Sequence, residues 1–336
     1  MHRFLVIQTS FIGDVVLATA VVEKLHSFFP DATIDFLLRK GNESLLENHP
    51  FLRQLIIWDK QKQKKRNLLK VVRFVRQQRY THVINLHRFG TSGFITCLSR
   101  AKNKIGFDKN PFSFCYTRKV THTISDPYTA NPIHETQRNQ ELIASFTDAA
   151  SAFPRLYPSM EDYEKIKPLQ TKPYICIAPS SVWFTKQFPV EKWVELTDAL
   201  PQAYHIYLLG ASVDDTIANA IINDSLNRKI TSVCGKLNFL QSAALMQGAV
   251  MNYVNDSAPL HFATAVNAPV TAVFCSTVPA FGFGPVRENG KIVELKERLY
   301  CRPCGLHGHK ACPEGHFKCA LGIEKEQLLW WTSKTT

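Results

Sequence analysis

Two polar turns, each set between an apolar run and a helical run, carry residues suited to handling a charged ligand. In YVNDSAPLHFATAVNAPV (253–270), a strand over 249–254 ends in Asn255, Asp256 and Ser257, and a helix starts near Ala258. Asp256 or Ser257 can accept from the open N–H groups of the first turn, where Pro259 is tolerated. Such a unit is either an ordinary capped βα turn or an anion site, because dipole and unpaired amides point the same way. Near the start of the chain, a strand over 4–8 runs through Gly13-Asp14 into a helix over 15–29. Asp14 reads either as a helix cap or as a carboxylate at the carboxyl end of a strand, where doubly wound sheets bind ligands.

Two further clusters stand out. Residues 60–79 hold Lys60, Lys62, Lys64, Lys65, Arg66, Lys70, Arg73, Arg76 and Arg79 with no acidic residue among them. Leu68, Leu69, Val72 and Val75 recur at helical spacing, so the second half predicts an amphipathic helix. The charge run is either a solvated face or a surface for phosphates. Near the other end comes Cys301-x2-Cys304-x7-Cys312-x6-Cys319, with His307, His309 and His316. It could ligate zinc through four thiolates or a mixed thiolate–imidazole set, or form a buried or free-thiol cluster.

The elements that must position these residues alternate. Strands are expected over 33–38, 55–58, 81–86 and 104–107, with His87-Arg88 and a loop over 90–93 closing the fourth. A helix over 133–146 places His134 and Arg138 on one face. Residues 149–171 are rich in Pro and charge and mark a domain boundary near Lys167-Pro168. The pattern then restarts with strands over 174–178 and 205–209, a loop holding Ser180, Ser181 and Lys186, and a helix opening after Asp214 and Asp215. Two successive βα arrays predict α/β architecture with two Rossmann-like domains, 1–165 and 166–322, and a terminal segment 323–336. That segment is expected to be helical over 323–331 and to pack back on the N-terminal domain.

Composition limits the function classes. The 336 residues carry 45% hydrophobic and 20% charged residues, and no apolar run approaches a membrane span. Met1-His2-Arg3 leads straight into a strand without a signal peptide, which predicts a cytoplasmic location with mostly reduced cysteines. The net charge is +12, and residues 1–165 hold 24 Lys/Arg against 15 Asp/Glu. A basic first half suits an acidic partner. Neither GxGxxG nor GxxxxGK[ST] occurs, which argues against nicotinamide and P-loop enzymes.

Taken in order, IQTSFIGDVVLATAVVEKL (7–25), Asn48–Pro50, IHETQRNQELI (133–143), PSSVWFTKQFP (179–189), Gly235-Lys236, the 253–270 stretch and the Cys-rich tail span nearly the whole chain. Together they resemble glycosyltransferase family nine, the ADP-heptose:lipopolysaccharide heptosyltransferases. The resemblance implies a GT-B fold, two Rossmann-like domains facing a central cleft. It also implies inverting transfer of heptose from ADP-L-glycero-D-manno-heptose to the lipopolysaccharide inner core, a Kdo-lipid A or heptosyl acceptor. Asp14, in the family's Gly-Asp motif, becomes the base that takes the acceptor hydroxyl proton. Lys186 matches a loop lysine near the phosphates, and Asp256, Ser257 and Ala258 match a turn whose amides hold the diphosphate. Ser180, Ser181, His261 and one of Asp214 or Asp215 complete the expected donor site. His261 faces either the site or the core, and the ribose partner is open between the two aspartates. Gly13, Lys60, Lys62, Lys64, Arg88, His134 and Arg138 are the expected acceptor contacts, since arginine grips carboxylate and phosphate bidentately. The family often has Thr-Gly where Ser257-Ala258 stand, and Pro259 donates no N–H.

No Asp-x-Asp occurs, so no cofactor is required by the motifs; Mg could assist without a dedicated site, and Zn is the open alternative at the tail. The expected partners are ADP-heptose, a lipopolysaccharide core acceptor and the anionic inner face of the inner membrane, with no nucleic acid. One alternative keeps the fold with a different nucleotide sugar in surface polysaccharide synthesis. A distant one is a nucleic-acid-binding protein with a zinc tail.

Overall fold

A computed structural model describes residues 2–332. The chain divides into two compact units, one running to Ile124 with Glu135–Tyr157, the other combining Ser125–His134 with the chain from Pro158 onward. The division therefore falls at Tyr157/Pro158 rather than near Lys167-Pro168, and a ten-residue segment ahead of Glu135 belongs to the second unit.

The first unit has six strands: β1 (Arg3–Ile7), β2 (Thr33–Arg39), β3 (Leu52–Trp58), β4 (His82–Asn85), β5 (Asn103–Phe107) and β6 (Arg118–Val120). All pair in parallel, in the order β3-β2-β1-β4-β5-β6. Helices α1 (Ile12–Phe28), α2 (Lys64–Gln78), α3 (Gly90–Leu98) and α4 (Glu135–Glu141) connect or cover them. Phe4, Leu5, Val6 and Ile7 are all fully buried, as a parallel strand covered on both faces requires. The α2 run turns Val71, Val72 and Val75 inward while Leu69 stays exposed, so its apolar stripe is narrower than expected.

The second unit begins with α5 (Met160–Ile166) and continues through β7 (Tyr174–Ala178), α6 (Val190–Ala199), β8 (His205–Leu208), α7 (Asp215–Asp224) and β9 (Ile230–Ser232). Then follow α8 (Phe239–Gln247), β10 (Met251–Asn255), α9 (Ala258–Ala265), β11 (Val270–Phe274) and β12 (Gly290–Glu294). The sheet order is β12-β11-β10-β7-β8-β9, again all parallel. Read from β9, it repeats the 3-2-1-4-5-6 order of the first sheet. In each sheet the winding reverses between the first and fourth strands, and α/β sheets bind ligands in the crevice beyond the carboxyl ends there. Those places are the ends of β1 and β4, and of β7 and β10.

Two short helices close the chain, α10 (Lys318–Leu321) and α11 (Lys325–Leu328). The expected helix over 323–331 is thus a single turn, and it packs into the core of the second unit. Leu328 and Trp331 join that unit's core with Trp193 and Tyr253. Trp331 Nε1 donates to Tyr253 Oη (2.6 Å) and Trp330 Nε1 to Thr271 Oγ1 (3.0 Å). A buried indole needs both apolar cover and a partner for its N–H, and β10 and β11 supply both. Residues 333–336 of the expected terminal segment lie outside the described residues. Among the described residues no helix is long and apolar enough to cross a membrane.

Candidate active site

At the carboxyl end of β10, Asn255 fastens the loop that follows β7. Its buried amide accepts from the Phe188 N–H (2.9 Å) and donates to the Pro179 carbonyl (2.7 Å). That loop carries Lys186 to the next residue, Asp256, with Nζ 2.7 Å from Oδ2. Thr277 Oγ1 donates to the same oxygen at 2.6 Å. The two charged side chains are only 15% and 8% exposed, so this is a largely buried, charge-assisted pair. Neither Asp256 nor Ser257 caps α9, contrary to expectation: Asp256 spends its carboxylate on Lys186 and Thr277, and Ser257 makes no capping bond. Ser257 Oγ instead lies 3.4 Å from the Asn255 carbonyl. A helix start without a side-chain cap stands beside an ammonium with donors to spare, an arrangement that favours an anion.

The other expected donor residues divide. Ser180 Oγ is buried without a hydrogen-bond partner, and the Ser181 carbonyl accepts from Gln187 (2.6 Å). His261 is buried, and burial pushes it down to about 4; Asp256 opposes that shift and Lys186 adds to it. It is therefore a neutral imidazole near the pair, with Nδ1 unpartnered. Asp214 accepts from the Ala211 N–H (2.7 Å), and Asp215 from Ser232 Oγ (2.7 Å) and Asn219 Nδ2 (3.0 Å). Both aspartates stand just beyond β8 with carboxylates engaged locally.

The Cys-rich tail forms a wall of the Lys186 loop. Thr185 N–H donates to the His309 carbonyl (3.1 Å), the His309 N–H donates to Thr185 Oγ1 (2.8 Å), and Ser276 Oγ donates to Thr185 Oγ1 (3.0 Å). Gly308, at φ +80°, lies so close that a Cβ would sit 2.9 Å from Thr185 Oγ1 and 3.1 Å from Lys186 Cγ. As for a metal, Cys301 Sγ lies 3.9 Å from His316 Nε2, and Cys304 Sγ donates to the Cys301 carbonyl. Among the described residues no group of three or more His, Cys, Asp or Glu side chains is gathered to hold an ion, while the thiols of Cys301, Cys304, Cys312 and Cys319 lie near enough for their charges to act on one another. Burial, then the neighbouring thiols, push Cys319 up to about 12. Cys97 and Cys115 are joined as a disulfide, and the other seven cysteines are free.

In the first unit Asp14 is the third residue of α1 and accepts from the Phe11 N–H (3.2 Å). It caps the helix and also stands beyond the carboxyl end of β1. Sequence reasoning passed over Glu135 nearby. This buried carboxylate takes Nε (2.9 Å) and Nη2 (2.8 Å) of Arg138 on one oxygen. Burial raises its pKa, Arg138 opposes the rise and Asp14 reinforces it, so the two carboxylates share one field. The only sequence signal was a Glu three residues before an Arg on one helix.

Lys60 donates to the Thr9 carbonyl at the end of β1 (2.7 Å) and lies over the Trp58 ring (4.7 Å). Burial, with Arg39 and Lys64 adding, pushes its pKa down to about 8. Lys62 and Lys64 are exposed. Beyond β4, burial, Lys60 and Arg88 push His87 down to about 4, and its Nδ1 lies 3.3 Å from Thr9 Oγ1. Gly13 sits in the first turn of α1. His134 does not share a helix face with Arg138. It precedes α4, belongs to the second unit, and its Nε2 lies 2.9 Å from the Gly284 carbonyl. The contact with Gly284 holds His134 outside the helix.

Two 3-2-1-4-5-6 sheets, one with a buried ammonium and the other with a carboxylate at its winding reversal, define a two-domain α/β protein of the GT-B-like kind. The Escherichia coli ADP-heptose LPS heptosyltransferase II structure matches with a TM-score of 0.80 at 18% identity, covering 99% of this chain and 98% of that one. The E. coli heptosyltransferase WaaC with ADP matches at 0.73 and 17%, covering 99% and 100%. Residues 68–316 match glycosyltransferase family 9 (heptosyltransferase), and the chain belongs to that family. It is a glycosyltransferase. Lipopolysaccharide heptosyltransferase 3 of E. coli strain K12 is 29% identical over 301 residues, 82% of this chain and 83% of the relative.

Proposed function

We propose that this glycosyltransferase moves a heptose from ADP-heptose to a lipopolysaccharide inner-core acceptor, with inversion at the anomeric carbon. The observation that carries the reading is the Lys186–Asp256 pair at the β10 end of a family 9 chain. One ammonium donor is committed to Asp256, and the others can meet diphosphate oxygens as negative charge grows on the leaving group. Ser257 and the Ala258 amide at the start of α9 add to that site, with Ser180 beside it. Asp256 does not touch the phosphates; it aims Lys186.

In the transfer, an acceptor hydroxyl oxygen bonds to the anomeric carbon as the bond from that carbon to the β-phosphate oxygen breaks. The hydroxyl proton passes to the Asp14 carboxylate, and ADP departs with the electron pair. Lys60, Arg88 and Arg138 supply the positive field for an acidic acceptor, Arg138 largely through its hold on Glu135. Lys62, Lys64 and His134 have weaker support, being exposed or committed elsewhere. Asp214 and Asp215 remain the ribose candidates beyond β8. The basic first unit fits work at the cytoplasmic face of an anionic inner membrane, where charge attraction of about 1 kcal/mol per basic residue near the surface would gather the enzyme.

The donor is tested by titrating the protein with ADP-heptose, ADP-glucose, UDP-glucose and GDP-mannose and following its melting temperature. Strongest stabilisation by ADP-heptose supports the reading. Strongest stabilisation by a uridine or guanosine donor overturns it in favour of another nucleotide sugar.

A further inference from the structure

The carboxyl edge of the second sheet carries a line of polar contacts that ends on Lys186. It starts at Glu294, the last residue of β12, whose Oε2 accepts from Arg302 Nη2 (2.6 Å). The same nitrogen donates to the Phe274 carbonyl at the end of β11 (3.1 Å) and to the Thr277 carbonyl just beyond it (2.7 Å). Thr277 turns its hydroxyl to Asp256, which follows β10, and Asp256 holds Lys186 of the loop after β7. The strands crossed are β12, β11, β10 and β7, which is their order in the sheet.

Arg302 is built into this edge. Its side chain is 9% exposed and Thr277 is 1% exposed, so water competes little for their bonds. The backbone around it is tied as well. The Arg302 carbonyl accepts from Tyr128 Oη (2.8 Å), and the Cys304 N–H donates to the Ser276 carbonyl (2.9 Å). A guanidinium suits the place, because it stays charged and presents its donors in a rigid plane. A lysine ammonium, by contrast, swings on a flexible stem, and its direction depends on what holds it. Glu294 offsets the charge of Arg302, so the contribution of this arginine to the site is orientation.

We propose that Arg302 is a positioning residue for the transfer: by fixing Thr277 it sets where Asp256 holds the Lys186 ammonium against the diphosphate of the donor. The diphosphate end of this statement rests on the transferase reading above; the aiming of Lys186 does not.

A double-mutant cycle on ADP affinity, read by calorimetric titration of the full chain, tests it. Arg302→Gln should weaken ADP binding by roughly 3–30-fold in the parent. In the Lys186→Met background the same change should matter by less than about twofold, because the group that Arg302 aims is gone. Thr277→Val removes only the hydroxyl that reaches Asp256; it should behave in the same way, and it carries the test if Arg302→Gln does not fold. Trp331→Ala is the comparison, since it loosens the core of the same unit and should leave ADP affinity alone. An Arg302→Gln protein that melts lower yet keeps its ADP affinity, or one whose loss is undiminished without Lys186, overturns the proposal. A parent that does not bind ADP overturns the donor reading instead, and the nitrogen NMR signal of the Lys186 ammonium then decides without ligand. A signal moved by Arg302→Gln but not by Trp331→Ala supports the aiming role, and an unmoved signal overturns it.

Discussion

Replacing Lys186 by Met should damage the second unit twice, and the two effects can be separated. The substitution leaves Asp256, only 8% exposed as a side chain, as a buried carboxylate without its cation. Removing one partner of a buried pair costs about 3–5 kcal/mol. Thr277 still donates to Asp256, and Lys186 is partly exposed, so the lower end, about 3 kcal/mol, is expected here. For a unit of this size that corresponds to a fall in melting temperature of roughly 6–12 °C. Lys186→Met with Asp256→Asn removes the stranded charge and should recover most of the loss, leaving about 1 kcal/mol. Affinity for ADP behaves differently. Both variants lack the ammonium, and losing charge-assisted bonds of about 1.5–3 kcal/mol weakens ADP binding by roughly 10–150-fold in each. Calorimetry of unfolding and titration with ADP read the two effects. Single and double variants that melt alike, or ADP binding within about twofold of the parent, would refute the reasoning.

Gly308→Ala should lower stability by about 1–2 kcal/mol through its φ of +80° and also weaken ADP binding, because the new methyl presses on Thr185 and Lys186. Gly305→Ala is the control: φ is +67° with open space around it, so stability should fall while ADP affinity, read by titration, stays put. Lys60 has a folded pKa of about 8, below its ordinary 10.5. The folded state therefore loses a proton that the unfolded chain keeps between those values, and melting curves should show stability rising across that window. Over the same range the acceptor KM should climb as the charge disappears, a trend abolished by Lys60→Arg. Trp331→Ala should cost about 3–5 kcal/mol in the second unit, seen as a lowered melting temperature, since the indole fills its core and bonds to Tyr253.

The parallel cores were plainly legible. Tyr174–Ala178 is a continuous apolar run between polar segments, and the strand has the bounds its sequence predicts. Two of the edge strands were not, although the β3 edge was. Arg118–Val120 and Gly290–Glu294 carry charges and glycine, because an edge buries less side chain and exerts less pressure on composition. Ile133–Phe146 shows the opposite error: it read as one long helix, yet the His134–Gly284 contact holds its start outside and the helix runs only over Glu135–Glu141. At the site, βα turns revealed where Asp14 and Asp256 stand, since each follows a buried strand. The Lys186–Asp256 pair spans 70 positions, and the support that Gly308 and His309 give Thr185 spans more than 120; no local pattern encodes either. Glu135 was hidden for a related reason. Its importance comes from burial beside Asp14 and Arg138, which a helical Glu–x–x–Arg does not announce.

The central claim, heptose transfer with Asp14 as base and Lys186 at the diphosphate, meets its most direct test in a product assay. The protein is incubated with ADP-heptose and a deacylated inner-core acceptor, and the product is followed by mass spectrometry and its anomeric configuration read by NMR. The expected product carries one added heptose of inverted configuration. Asp14→Asn should slow its formation by a factor of about 10²–10⁴ while ADP binding is retained. No transfer from ADP-heptose, retention of configuration, or an Asp14→Asn enzyme that turns over at the parent rate would contradict it.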